Sequence, residues 1–221
     1  MLGIVVALKR EAESFISKLE NLKEFKILDK PAYSGFANGE EVVLIISGIG
    51  KVSASLSTQV IIDKYSPDCI INFGTAGGMN SSVSILNYYA VEKCCQFDFD
   101  LRQLDGVPLG YIQEYNTAYF KANTDKLSFL QTSCLATADR FTDDMVDIDS
   151  INEISCSLRD MEGGAIAQVC TSNNIPLYMI KGVTDVYGLR SSQEQFYENL
   201  TKVSNGFADI VLTAIDNIKQ K

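Results

Sequence analysis

The residues of this chain best suited to chemistry are carboxylates. Glu162 stands in Asp160-Met161-Glu162-Gly163-Gly164-Ala165, and Asp185 closes an apolar run that begins at Pro176. Both border segments that read as core elements. A charge taken out of water without a partner is strongly disfavoured, so such an acid persists when it is paired, neutralised or used. The stretch between them has room for one helix, a turn and one strand, which can return both acids to one edge of a sheet. A third acid, Glu11, follows the first apolar run in Lys9-Arg10-Glu11-Ala12-Glu13, and on its own it reads as a solvated helix residue. The chain has no histidine. That removes Ser-His-Asp triads, Cys-His dyads and His-ligated zinc, and leaves acid–base work to carboxylates, Cys, Lys or Tyr with tuned pKa values.

The elements that must position these acids follow from the apolar pattern. Residues 2–7, 42–47, 69–73, 88–91, 134–136 and 177–180 read as buried strands by their β-branched content and flanking Gly, Pro or Asn. Helical spacing appears over residues 9–22, 52–65 (with Val52, Leu56, Val60 and Ile61 on one face), 164–170 and 193–218. Strands alternating with helices predict an α/β fold, a three-layer α/β/α sandwich on a mixed, largely parallel sheet, built as a single domain over residues 1–221. The polar, turn-rich run 98–115 reads as an excursion that a partner subunit could cover.

Composition narrows the function. A 46% hydrophobic and 21% charged balance is that of a globular chain. A net charge of −9 without a basic cluster argues against nucleic acid or an anionic membrane as partner. None of the six cysteines forms Cys-x-x-Cys, so a zinc ribbon or thioredoxin-like motif is not supported; Cys69 and Cys134 read as buried small hydrophobes, and Cys94-Cys95 as inert. With no signal-peptide pattern and no apolar run of about 18 residues, the expectation is a cytoplasmic, reduced protein.

Two glycine-rich segments lie just after predicted strands, Ser47-Gly48-Ile49-Gly50-Lys51 and Asn72-Phe73-Gly74-Thr75-Ala76-Gly77-Gly78. Neither is a dinucleotide fingerprint or a phosphate-binding P-loop. Each alone is an ordinary strand-to-helix turn. Two at strand ends point to a small-molecule site, because ligands of open α/β sheets bind beyond the carboxyl ends of the strands.

Together these segments resemble the nucleoside phosphorylase/hydrolase superfamily, and within it the 5′-methylthioadenosine/S-adenosylhomocysteine nucleosidase family. The matching pieces are residues 3–11, 47–51 and 72–78, Asp160-Met161-Glu162 with Ala165-Ile166-Ala167, and Val183-Thr184-Asp185, in the family's order. The resemblance implies a homodimer that hydrolyses the N-glycosidic bond of an adenine 5′-thionucleoside, a step in methionine salvage, without metal or cofactor. It implies that Asp185 is the general acid at purine N7, that Met161 and Glu162 hold the ribose, and that Glu11 positions and deprotonates water. Thr75, Ala76 and Gly77 would line the base region, with Thr184 beside the acid and Phe141, followed by Thr142, stacking on adenine. Leu8 and Ile49 would sit near the 5′-thio group, and Leu101 would be supplied by the partner subunit. In the bland readings Glu162 is a buried structural acid, Asp185 a helix N-cap, and Phe141, Leu8 and Ile49 ordinary core.

The chain departs from the family's pattern at several places. Lys181 stands where the family usually has Arg, which keeps the charge near the acids and loses the bidentate fork, so water positioning could be weaker. Phe97 replaces a common His, and residues 102–110 differ from the usual aromatic loop. The stretch after Asp185 is shorter than usual, leaving Phe196 and Tyr187 as candidates to cap the ribose. Two other enzyme readings stay open. One is a phosphorylase, kept alive by Lys9, Arg10 and Lys51 but opposed by Glu11, which would repel phosphate. The other is a hydrolase for a different purine nucleoside, such as a futalosine-like one. A binding protein without catalysis is the remaining class, and retention of Glu11, Glu162 and Asp185 together speaks against it.

Overall fold

The structure, a computed structural model, describes residues 1–141 and 145–220. Strand β1 (Leu2–Val6) leads into helix α1 (Lys9–Ile16), and the chain then runs through β2 (Glu20–Ile27), β3 (Lys30–Ala37) and β4 (Glu40–Ile46) to α2 (Lys51–Tyr65). Next come β5 (Cys69–Gly78), β6 (Tyr88–Gln96), the short α3 (Arg102–Asp105), β7 (Phe120–Lys121) and β8 (Gln131–Thr137). Helix α4 (Met145–Glu153), β9 (Leu158–Asp160), α5 (Gly163–Ser172), β10 (Leu177–Val186) and the long α6 (Ser192–Lys219) complete it.

The strands form one mixed sheet in the order β10-β6-β8-β9-β5-β1-β4-β3-β2. A further pairing of β10 with β5 closes β5, β9, β8, β6 and β10 into a ring. Strands β4, β1, β5 and β10 are mutually parallel, so their carboxyl ends share one edge. Their near-continuous apolar runs are explained by burial on both faces. In β1 the residues alternate: Leu2, Ile4 and Val6 pack with Phe15 of α1 and Phe207 of α6, while Val5 packs with Ile61 of α2 and Ile166 of α5. Helices therefore cover both faces, as the α/β sandwich expected from sequence requires. A separate core of Met79, Cys95, Phe97 and Ile151 fills the region under α4. Among the described residues no helix is long and apolar enough to cross a membrane.

Several expectations are corrected. The helix expected over 9–22 ends at Ile16, and Glu20–Ile27 is instead an edge strand in a hairpin with β3. The apolar spacing of Leu19 and Leu22 imitates a helix, but only Leu19 is buried. On α2 only half of the face assigned to the core is buried: Val52 is 78% and Leu56 49% exposed, while Val60 packs partly buried against the core and Ile61 is buried with Ala54, Ser57 and Thr58. Cys134 is buried as expected, but it is joined to Cys156 in a disulfide, against the expectation of a reduced protein. The acid-bearing segment Asp160-Met161-Glu162 begins in a short strand, β9, that the sequence did not announce.

Gly182 shows how tightly the acid-bearing strand is packed. A Cβ there would collide with Val203 and crowd Tyr88 and Phe207. Gly182→Ala is expected to lower stability by about 1–3 kcal/mol through overpacking, read as a reduced urea midpoint with an unchanged slope.

Candidate active site

A cavity of about 350 Å³ opens at the shared carboxyl edge of the parallel strands. Glu11, Glu162 and Asp185 all line it. Each arrives from a different element, and each is nearly fully buried.

Glu11 lies in the first turn of α1 and is 2% exposed, not a solvated helix residue. Its Oε2 accepts from the Leu8 N–H at 3.1 Å. Its Oε1 accepts from the Thr75 N–H at 2.8 Å and the Thr75 hydroxyl at 2.6 Å. The carboxylate lies against β5 beside Gly74, its oxygens 3.4 Å from where a Cβ would be, an ordinary van der Waals contact.

Glu162 precedes α5 and reaches across to the start of α2, where its Oε1 accepts from the Gly50 N–H at 2.8 Å. Gly50 has φ +97°, a conformation that glycine adopts without strain and that aims this amide at the acid. Burial, then the nearby charge of Asp160, pushes the Glu162 carboxyl up to about 7, with Lys181 and the Gly50 amide opposing. The first turn of α2 is fixed further by Asp139, whose Oδ1 accepts from the Lys51 N–H at 2.7 Å, and by an ion pair of Lys51 with Asp98 at 2.6 Å.

Beneath Glu162 lies a polar cluster. Asp160 accepts from the Thr137 hydroxyl at 2.6 Å and the Gly163 N–H at 2.8 Å, and pairs with Lys181 at 2.9 Å. Burial alone would lower the Lys181 ammonium, but Asp160, Glu162 and Glu11 outweigh it and hold the pKa above its usual value. Lys181 is 2% exposed and does not line the cavity. Lys181 was expected among the substrate-binding residues; in the structure its ammonium is bound by Asp160.

Asp185 sits just after a bulge in the β10–β5 pairing, between Val183 and Asp185. The bulge brings both Thr184 and Asp185 to the cavity, as bulges beside active sites often re-aim side chains. The Thr184 hydroxyl donates to Asp185 Oδ1 at 2.8 Å. Arg159 of β9 donates to Asp185 Oδ2 at 2.5 Å, a buried ion pair.

Of the other residues singled out from sequence, Leu8, Ile49, Thr75, Ala76, Gly77, Phe141, Met161 and Thr184 line the cavity. Thr142 lies outside the described residues. Leu101 is on the excursion and away from the cavity of its own chain. Phe196 lines the cavity and meets Phe141 edge-on at 6.1 Å, whereas Tyr187 packs on the core under α4 and does not. Sequence reasoning missed Arg140, Arg159 and Tyr197, which also line the cavity, as does Arg10, singled out only as a cation that could favour phosphate. The signal for Arg159 was present: a charge between Leu158 and Asp160 invites the same question that was asked of Glu162. Burial pushes the Cys69 and Cys170 thiols up to about 12, which suits neither to nucleophilic work.

The phosphorylase superfamily model matches residues 1–216. The chain is similar to the 5′-methylthioadenosine/S-adenosylhomocysteine nucleosidase of Buchnera aphidicola, at 34% identity over 98% of each chain. It is also similar to the enzyme of that name from a Geobacillus strain, at 30% identity over 99% of each. Among solved structures, the nucleosidase of Colwellia psychrerythraea in complex with adenine superposes with a TM-score of 0.92 at 27% identity, covering 100% of this chain and 96% of that one. The fold is shared with futalosine hydrolase of Helicobacter pylori, with a TM-score of 0.89 at 21% identity over 97% of each chain. This chain thus belongs to the phosphorylase superfamily, and within it to the 5′-methylthioadenosine/S-adenosylhomocysteine nucleosidase family.

Proposed function

We propose that the chain hydrolyses the N-glycosidic bond of 5′-methylthioadenosine and S-adenosylhomocysteine, releasing adenine and the 5-thioribose product. The observation that carries this reading is the convergence of Glu11, Glu162 and Asp185 on one cavity with an aromatic wall. Adenine leaves poorly until its N7 is protonated. Asp185, which takes up a proton from solvent as substrate binds, gives that proton while the C1′–N9 bond breaks and its electron pair passes to the base. Positive charge grows on the ribose, and Glu162, bonded to the hydroxyls, stabilises it. Glu11 takes a proton from water as the water oxygen joins C1′. Acids on opposite sides of a cleaved sugar bond are the logic of inverting glycosidases. Thr75 keeps the Glu11 carboxylate aimed, while Leu8, Ile49 and Phe196 offer an apolar surface to the 5′-thio group.

A homodimer belongs to this reading. The outward Val52 and Leu56 of α2 continue from Ile49 at the cavity rim, and Phe99 and Leu104 expose further apolar surface on the excursion that carries Leu101. A second copy covering this surface would bring its Leu101 to the 5′-substituent. We place the enzyme in the cytoplasm, where the sequence expectation put it.

Four outcomes are expected. Adenine release from both thionucleosides should proceed without phosphate, and strict phosphate dependence would instead make the chain a phosphorylase. Asp185→Asn should still bind adenine while turnover falls by about 10²–10⁴-fold, the usual contribution of a positioned acid; near-normal turnover would remove Asp185 from the role. Glu162 keeps its proton to about pH 7 in the folded chain, against an ordinary value of 4.5. The folded state therefore holds more protons than the unfolded one between these limits, and its stability should fall as pH rises through that window. Over the same rise the ionised acid becomes available to the ribose hydroxyls, so substrate affinity should increase. Glu162→Gln should flatten both trends, as followed by urea titration and KM at several pH values. Light scattering should give the mass of two chains, and Val52→Asp should shift it toward one.

A further inference from the structure

The acid assigned to purine N7 is already engaged. Arg159 Nη2 lies 2.5 Å from Asp185 Oδ2, and both side chains are almost wholly buried. The position of the guanidinium follows from the strand register. Arg159 of β9 pairs with Gly77 of β5, and a Cβ on Gly77 would meet Nε, Cζ and Nη2 of Arg159 at 2.7–2.9 Å. The flat group thus lies on the strand surface of Gly77. Its Cζ is 5.6 Å from the centre of the Phe141 ring, and its Nη1 faces the Met79 sulfur at 3.2 Å.

A planar cation that rests on glycine backbone, faces an aromatic ring and donates N–H to Asp185 has the recognition features of a purine protonated at N7. Such a purine is also flat, carries positive charge and directs N–H toward a carboxylate. We propose that Arg159 is a resident stand-in for the base: it fills the purine place on Asp185 in the empty enzyme and is exchanged for the purine edge when substrate binds. The inference rests on the reading above, in which the base lies along Thr75, Ala76 and Gly77. Arg159 is then a positioning residue. It supplies the buried acid with an opposite charge, and removing one member of such a buried pair is strongly destabilising. It also lowers affinity for the base by the strength of the contact that must be given up. Hydrogen bonds between charged groups are strong enough for that penalty to be about tenfold to a hundredfold in binding.

The test is calorimetric titration of adenine into the wild-type chain, Arg159→Met and Arg159→Lys, together with a crystal structure of the wild-type chain with adenine. The expected result is that Arg159→Met unfolds at a lower temperature when empty and binds adenine about tenfold or more tightly. Arg159→Lys, which keeps a cation within reach of Asp185, should fall between the two. A purely structural role would lower the unfolding temperature and leave adenine affinity unchanged, and that result overturns the proposal while the nucleosidase reading stands. Weaker adenine binding by Arg159→Met would show that the guanidinium holds the base instead of yielding to it. Hypoxanthine bound more tightly than adenine by the wild-type chain, and lost in Arg159→Met, would mean the same, since a guanidinium can serve the purine oxygen and N7 together. If Arg159→Met does not fold, the adenine complex decides: Arg159 still on Asp185 overturns the proposal, and N7 in its place supports it. Failure of the wild-type chain to bind adenine at all would overturn the nucleosidase reading and this inference with it.

Discussion

The site depends on one buried ammonium. Lys181 lies on β10 below the cavity floor, paired with Asp160 and in the field of Glu162 and Glu11. Without that cation, three carboxylates would crowd a space that water barely enters, and mutual repulsion would push them apart or neutralise them. Through Asp160 the same cation fixes the start of α5, because Asp160 also accepts from the Gly163 amide and the Thr137 hydroxyl. Thr137 in turn accepts from the Gly164 amide at 2.8 Å. One side chain thereby ties β8, β9, α5 and β10 to a common point directly beneath Glu162. Removing one partner of such a buried pair typically costs about 3–5 kcal/mol, so the cluster is both the charge balance of the site and a structural joint.

Parallel strands turn this joint into an active site. β1, β4, β5 and β10 end at one edge, which brings Leu8 and Glu11, Ile49 and Gly50, Thr75 to Gly77, and Thr184 with Asp185 together although they are far apart in sequence. The remaining wall comes from the loop after β8, with Phe141, and from the first turns of α6, with Phe196 and Tyr197. The floor is rigid and polar, and the rim is aromatic and partly exposed. That division fits a ligand with one charged, reacting end and one apolar tail.

The carboxyl-edge strands and the acids were legible in the sequence because both are local signals. β1, β4, β5 and β10 are runs of apolar residues, and an acid at the end of such a run stands out whatever the fold. What stayed hidden depends on register or on a second surface. Arg159 matters because β9 pairs antiparallel with β5 and sets it opposite Gly77, which no local pattern reveals. The start of β2 was read as the end of a helix, and the rest of the β2–β3 hairpin was not recognised, because an edge strand with one wet face keeps few apolar residues. Val52 and Leu56 of α2 were assigned to the core because they have the spacing of buried residues, a spacing that does not say which side of a helix faces the sheet. Lys181 was correctly placed near the acids, but sequence spacing could not tell a side chain in the cavity from one beneath it.

The ring formed by β5, β9, β8, β6 and β10 leaves the outer end of the sheet order at β2. Glu20, Lys23, Glu24 and Lys26 stand exposed along that strand. Unpaired strand backbone is a template on which another chain can add, and interspersed charge is a common guard against it. Among the described residues, the strands that carry Arg159, Asp160 and Asp185 lie within the ring, whose only added border is the two-residue β7 beside β6. The long border that could template growth of another chain thus lies at the far end of the sheet order from β10, and charge protects it.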